Sequence, residues 1–482
     1  MIARTLETLT LTLVVVLAAT TPGFADTNAE VGIEDGAVLL NPAPDAGAVA
    51  ARWAALGVDW VRIQAFRDAI SPASQSTKAP RGFRIGNPND PGYRWGQLDN
   101  AIDLVRANGM RVMLTIHQKG PVWASQAPRR HNGAFKPDPK KFGQFAAAVA
   151  KRYGSRVDRY LLGNEPNQKV FLAPQTECHR GRCDRTGPSM YRALVNAAYP
   201  QLKRFDHSAQ VIVGELAPIG GAGPHTASLA PLPFMRGMAC VDDRFRRITT
   251  GSCARFRPLK GDGFGYHPYQ VRARPDQRTR NKNLAKLGDL SRFFGVMDKL
   301  TRRGRMRAPH GKFDLYLTEY GYETNPPDTR FGVTPDQQRD FLAQSAYVVW
   351  KTPRVKLITQ YLWRDDNFRI GGRLAGFQTG LLYADNTPKP SLAAFPAPFF
   401  IDTKRGVSRA RLWGQVRPGA GHVVQVLQRV VGAGAFTSFA AAGTDARGYW
   451  ALTQAVARGA DYEFTYLAAD GGTATSAVVH VP

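Results

Sequence analysis

The sequence predicts an α/β fold: a (β/α)8 TIM barrel over residues 26–402, then a small β-sandwich domain over residues 403–482. Three observations predict it. Strand-like runs alternate with helix-like ones from about residue 28 to residue 400, giving eight strand candidates, each followed by a helix or a substantial loop. Eight such units suit a closed barrel better than an open doubly wound sheet, the alternative that shares this alternation. No Gly-x-Gly-x-x-Gly turn follows the first strand, which weakens a dinucleotide-binding sheet. After "AAFPAPFFID" the texture changes to short alternating runs divided by Gly, Ala and Asp turns, the pattern of a sandwich.

The elements follow in order. "AEVGIED" (29–35) and "VDWVRIQ" (58–64) are the first two strands, and "WGQLDNAIDLVRAN" is an amphipathic helix stopped by Gly109. "MRVMLTIHQ" (110–118) is the third strand. "FGQFAAAVAKRYG" then sets Phe142, Phe145, Val149 and Tyr153 on one helical face, and "VDRYLLGNE" is the fourth strand. Helix "MYRALVNAAYPQLKRF", strand "AQVIVGELAP" and an insertion carrying Cys240 and Cys253 come next. Strand "GDGFGYHPY", helix "LGDLSRFFGVMDKLTRRG" and strand "FDLYLTEYGYE" follow. Another helix opens on "TPDQ", with Thr334 as its cap, Pro335 as its first residue and Gln337 as the reciprocal partner of a capping box. Strand "KLITQYLWRDD" and a short helix at "PSLAAF" close the series. In the last segment "HVVQVLQRV", "GYWALTQAV", "DYEFTYLAA" and "SAVVHVP" supply sandwich strands that pack on the barrel or bind glycan.

Composition sets the broad class. With 482 residues, 43% of them hydrophobic and 10% aromatic, the chain can bury a sizeable core and is not disordered. Residues 1–25 read as a signal peptide: Arg4 supplies the charge, "LTLTLVVVLAAT" the apolar core, and Gly23 and Ala25 the small residues before a cut. No cysteine stands there to carry a lipid. No later run approaches the roughly 18 apolar residues of a membrane span, so a secreted protein, extracellular or of the cell envelope and acting as a monomer, is expected.

Four cysteines suit an oxidising compartment. Cys178 with Cys183 and Cys240 with Cys253 is the pairing that costs least loop closure. A metal site using Cys178 and the adjoining His179 is the competing reading, but the spacing matches no familiar zinc pattern and no metal is expected. The formal charge of +26 comes mostly from arginine. It would attract acidic polymers, with an acidic or envelope-derived glycan ranked above nucleic acid, yet the arginines are spread along the chain as an Arg-rich genome would spread them.

In a barrel the C-terminal ends of the strands converge on one mouth. Those ends offer Arg62, His117, Asn164 with Glu165, Glu215, His267 with Tyr269, Glu319 with Tyr320, and Trp363. Glu165 ends an apolar run and is followed by Pro166, which cannot supply a ladder N–H, so the fourth strand is expected to stop there with its carboxylate aimed into the mouth. Glycosidic cleavage needs two such groups, one proton donor and one ionised carboxylate. Glu165 and Glu319 face each other from strands four and seven, within reach of the roughly 5–5.5 Å that a retaining mechanism uses. Asn164 would hydrogen-bond the sugar 2-hydroxyl. Trp363, and Trp123 in "GPVWAS", are candidate stacking platforms for a pyranose. No nucleophile elbow, zinc helix or phosphate loop is present, and no cofactor is called for.

"GNEP" on strand four and "LTEYG" on strand seven resemble the signatures of retaining glycoside hydrolases of clan A, the four-seven barrel superfamily. The resemblance extends to Arg62, His117, the "HPY" of His267 and Tyr269, and Trp363, and spans most of residues 28–400. Within the clan the appended β-domain looks most like family 39, with family 5 next because of His-x-Tyr on strand six. The resemblance implies that Glu165 is the general acid/base and Glu319 the nucleophile. It also implies that Arg62 and Tyr269 orient the nucleophile and that His267 bonds near the acid/base. The expected activity is double-displacement hydrolysis of a polysaccharide or glycoconjugate, endo-acting if the long loops line an extended cleft. The rival is a non-catalytic barrel that binds carbohydrate or the cell envelope.

Overall fold

The computed structural model describes residues 29–482 except 42–43, 180–181, 224, 372, 404–408, 420 and 469. The leader expected over residues 1–25 lies outside the described residues. Eight parallel strands close into a barrel: β1 (Glu30–Glu34), β2 (Trp60–Ala65), β3 (Arg111–Ile116), β4 (Arg159–Leu162), β5 (Gln210–Leu216), β6 (Gly263–Tyr266), β7 (Leu315–Tyr320) and β8 (Val355–Tyr361). Neighbours in sequence are neighbours in space, and β8 returns to β1 in register from Glu30 opposite Leu357 to Glu34 opposite Tyr361.

Helices between the strands form the outer layer: α1 (Ala46–Ala55), α2 (Gly96–Ala107), α3 (Pro139–Tyr153), α4 (Thr186–Phe205), α5 (Pro231–Met238), α6 (Leu290–Arg302), α7 (Pro335–Trp350) and α8 (Pro390–Ala394). In α3, Asp138 caps the first turn through Lys141 N at 2.9 Å, and Phe142, Phe145, Val149 and Tyr153 are buried against the sheet. The period of 3.6 residues that marks this helix in the sequence is thus the stripe that covers the barrel.

Strand alternation fills the barrel from below. Trp60, Met113, Leu161, Ile212, Tyr316 and Leu357 form one buried layer inside it. Beneath them Glu30 pairs with Arg111 and Arg159, whose guanidinium groups lie 4.0 and 3.6 Å from the Trp60 ring centre. One step further along each strand the inward residues are Glu34, Arg62, Thr115 and Thr318, so the core turns from apolar to charged towards the C-terminal mouth.

The last segment forms two antiparallel sheets. One joins Phe399–Asp402, Arg409–Gln415 and Tyr449–Ala455, and the other is built on Val423–Arg429 and Asp461–Leu467. The first strand of the smaller sheet therefore comes from before residue 403. Trp413 and Tyr449 of this sheet pack on Tyr347 and Trp350 of α7, and the Tyr449 hydroxyl donates to Ala29 O at 2.9 Å. Both cysteine pairs are disulfides, Cys178–Cys183 within a hairpin (Glu177–His179 with Arg182–Asp184) and Cys240–Cys253 across the loop after α5. The sulfurs are thereby occupied, which removes the metal reading of Cys178.

Candidate active site

Strand β4 ends at Leu162, three residues before Glu165, which corrects the expectation that it runs to Pro166. Gly163 takes φ +91°, a value open to glycine, and the strand's hydrogen bonds are replaced by side chains. Tyr191 of α4 donates to Leu162 O at 2.7 Å. Gln118 brackets Asn164, accepting from its N at 2.8 Å and donating to its O at 2.7 Å. Glu165 then sits at φ +40°, a left-handed conformation uncommon for a residue with a Cβ. The same device recurs on β5, where Gly214 (φ +105°) precedes Glu215 (φ +50°). Both carboxylates are turned into the mouth by a backbone that the surrounding side chains hold in place.

Arg62, fully buried, organises the floor. Its Nη1 donates to Glu319 Oε1 at 2.5 Å and to Glu34 Oε2, its Nη2 to Asn164 Oδ1 at 2.8 Å and Glu215 Oε2 at 3.3 Å, and its Nε to Thr115 Oγ1 at 3.0 Å. Glu319 receives a second bond from the Tyr269 hydroxyl at 3.1 Å on its other oxygen. His267 bridges the carboxylates: Nδ1 lies 3.0 Å from Glu165 Oε1 and 3.4 Å from Glu319 Oε2, and Nε2 lies 3.4 Å from Glu215 Oε2. One carboxylate oxygen each of Glu165 and Glu319 and a ring nitrogen of His267 lie within 4.8 Å of one another.

Burial opposes a charge on His267, but Glu319 and the hydrogen bonds to Glu165 and Glu215 outweigh it and lift its pKa to about 10. That direction favours an imidazolium that donates to the carboxylates around it. His117 goes the other way. Burial, Arg62 and Lys119 push it down to about 3, so it is neutral, and its Nε2 pairs with Gln64 Oε1. Gln64 in turn donates to Glu34. Burial, and then the nearby Glu319 charge, raise Glu34 to about 7 against the pull of Arg62. A strand-end carboxylate of the same kind as Glu165, Glu34 closes the "VGIE" of β1, which is the signal by which the sequence could have shown it.

Above this floor lies a cleft of about 360 Å³ that contains Asn164, Glu165, Tyr269 and Glu319 in its lining. His117 stands in one wall between Phe66 and Phe171, with ring centres 4.6 and 6.0 Å away. Tyr361 stands in the opposite wall, its ring edge-on to Phe377 at 5.4 Å. Two expected platforms are elsewhere. Trp363 is 1% exposed and packs edge-to-face on Trp53 of α1, with Arg52 over its ring, because β8 ends at Tyr361 and the chain then bends outward. Trp123 is also buried, with its Nε1 bonded to Pro72 O at 2.9 Å and its ring against Phe83. Tyr361 is therefore the strand-eight aromatic that reaches the cleft. A second cavity of about 710 Å³ adjoins it, sharing Gln64, Phe66 and Tyr361 and extending past Glu34, Asn41, Arg94 and Gln97.

This arrangement invites comparison with solved structures. A family 39 glycoside hydrolase from Bacteroides cellulosilyticus WH2 superposes with a TM-score of 0.51 at 15% identity, over 92% of this chain and 82% of that one. The fold is shared with glycoside hydrolases. A glucosidase from Croceicoccus marinus is similar to the same degree, with a TM-score of 0.51 at 12% identity over 93% of this chain and 95% of that one. No protein-family model matches the chain, and no curated protein does. Both likenesses, at 92% and 93% of this chain, cover more residues than the barrel alone contains.

Proposed function

We propose that the protein is a retaining glycoside hydrolase in which Glu319 is the nucleophile and Glu165 the general acid/base. The observation that carries this reading is the pair itself: two carboxylates from β4 and β7, within 4.8 Å at their nearest oxygens, at the floor of a cleft. That separation suits direct attack and leaves less room than the roughly 6.5–9.5 Å at which an intervening water is activated. Glu319 receives Arg62 and Tyr269, one on each oxygen, which fixes its carboxylate and aims it at an anomeric carbon. Glu165, with His267 on its one bonded oxygen, protonates the departing oxygen and afterwards takes a proton from water. Asn164, its carbonyl oxygen fixed by Arg62, keeps its amide for the 2-hydroxyl, a bond that strengthens as positive charge develops on the ring. Tyr361 supplies the aromatic wall. The two adjoining cavities support an extended substrate and endo action, and the disulfides suit a secreted enzyme.

The test is turnover of a panel of oligosaccharides and aryl glycosides of both anomeric configurations, followed by NMR of the first-formed anomer, beside Glu319→Gln. Retained configuration in the wild type and a loss of at least about 10³-fold in the variant are expected. An inverted product would exclude double displacement. Glycan binding without turnover in the wild type would favour the non-catalytic barrel.

A further inference from the structure

The cleft is lined unevenly. On the described barrel, eight of the nine large apolar side chains left exposed stand on loops that follow the C-terminal ends of strands, and only Ile248 does not. They come from six different loops: Phe66 after β2, Val170 after β4, Ile219 after β5, Val271 after β6, Phe331 after β7, and three after β8. Five of the eight, including Ile219 at 53% and Phe377 at 46% exposure, line the cleft above Glu165 and Glu319. From the loops after β4, β5 and β6, Phe171, Ala217, Pro218, Ile219 and Val271 also line the cleft and add no side-chain hydrogen-bonding group to those of Asn164, Glu165 and Tyr269. The second cavity, on the β1, β2 and β8 side, is the more polar of the two, with Glu34, Asn41, Gln64, Arg94, Gln97 and Asp366 set among apolar residues such as Leu40, Ile70 and Leu98.

A sugar needs hydrogen-bond partners for its hydroxyls and an aromatic face for its C–H surface. Ile219, Val271 and Pro218 provide neither, and an apolar patch that stays exposed on one functional edge marks a ligand or partner surface. Val271 adds to this, since a β-branched residue at φ +62° is a strained choice for a solvated loop. The leaving group departs on the side of the acid, which is the apolar side. We propose that the substrate is a glycoside with an apolar leaving group: the glycan lies in the polar cavity, and a hydrocarbon aglycone, as in a glycolipid or lipid-linked glycan, lies on the wall formed by Phe171, Pro218, Ile219 and Val271. This rests on the hydrolase reading for the position of the bond that breaks, but the apolar seat can be measured without turnover.

The experiment titrates methyl and n-octyl glycosides of the same sugar and anomer, across a panel of pentoses and hexoses and below the micellar concentration, into the full chain by calorimetry. For at least one sugar the octyl glycoside should bind about tenfold or more tightly than the methyl, a modest part of the ~4-fold per methylene that complete burial would give. The double variant Ile219→Ser/Val271→Ser should cut that ratio below about threefold, while Ile248→Ser leaves it unchanged. An octyl-to-methyl ratio near one for every sugar, whether or not anything binds, overturns the proposal. So does a ratio that survives the double variant, or a gain that follows the number of sugar rings in place of chain length. If the octyl preference holds but no glycoside is hydrolysed, the apolar seat stands and the hydrolase reading falls. If methyl and octyl glycosides are bound and hydrolysed equally, the hydrolase reading stands and the apolar seat falls.

Discussion

Arg62 is where the electrostatics of the site are decided. One guanidinium, wholly removed from solvent, faces Glu34, Glu215 and Glu319, and its neighbours hold it charged despite the cost of burying it. His267 supplies the second positive charge, and the two histidines give stability opposite pH dependences. His267 rises from an ordinary value of 6.5 to about 10, so its contribution is complete below about pH 6.5 and is lost as pH climbs through 10. Glu34, lifted to about 7 by burial and then by Glu319, adds a loss of stability as pH rises from its ordinary 4.5 through 7. His117, pushed down to about 3, contributes above about pH 6.5 and loses that contribution as pH falls towards 3. Urea midpoints should therefore fall from about pH 6.5 towards 10 in the wild type, with a shallower fall in His267→Asn. A midpoint that is flat or rising over that window would mean that His267 is not held as an imidazolium.

At the scale of elements, the helix that opens on "TPDQ" shows how local chemistry fixes a boundary. Gln337 N donates to Thr334 Oγ1 at 3.1 Å, and Thr334 N donates back to Gln337 Oε1 at 3.0 Å, with Pro335 in the first turn. The cap is legible in the sequence because all its partners lie within four residues. Thr334→Ala should cost about 1 kcal/mol in chemical denaturation, with the barrel's circular dichroism retained; a change under about 0.3 kcal/mol would show that tertiary packing alone sets the start of α7. The end of β4 is less legible. Its hydrogen bonds are taken over by Gln118 and Tyr191, about 46 and 29 residues away in sequence, and no local pattern announces them. The tryptophans mislead for a related reason. Trp363 and Trp123 are next to strand ends, but which way a ring points after the strand stops depends on the helix that receives it.

Over the whole molecule, the C-terminal sheets are seated on the barrel by an aromatic cluster. Trp413, fully buried, contacts Tyr347, Trp350 and Tyr449, and Arg447 reaches across to Glu30 and Asp59. Trp413→Ala should destabilise the protein by about 3–5 kcal/mol and divide a single calorimetric transition into two. A single transition with less than about 1 kcal/mol lost would show that Trp413 is not what couples the sheets to the barrel. The arginine excess also reads differently at this scale. Arg111 and Arg159 bracket Glu30, Arg152 pairs with Asp99, and Arg354 pairs with Asp298, so part of the basic composition builds the scaffold. The cleft itself carries carboxylates and no lysine or arginine in its lining.

The sequence by itself determined the eight-strand alternation, the helices α2, α3, α4, α6, α7 and α8 with the cap of α7, the two cysteine pairs, and Glu165 and Glu319 as carboxylates at or just beyond strand ends. Each of these is set by a period, a short spacing or a composition that acts within a few residues. The tertiary structure alone decided that Glu34 and Gln64 join the site, that Tyr361 and not Trp363 faces the cleft, and that His267 bridges three carboxylates. Closing the barrel brings β1, β2, β4, β5, β6 and β7 to one mouth, and the charge state of each group then depends on neighbours some 28 to 257 residues away. The same closure gathers exposed apolar side chains from five separate loops around one cleft. A one-dimensional pattern has no term for such a meeting.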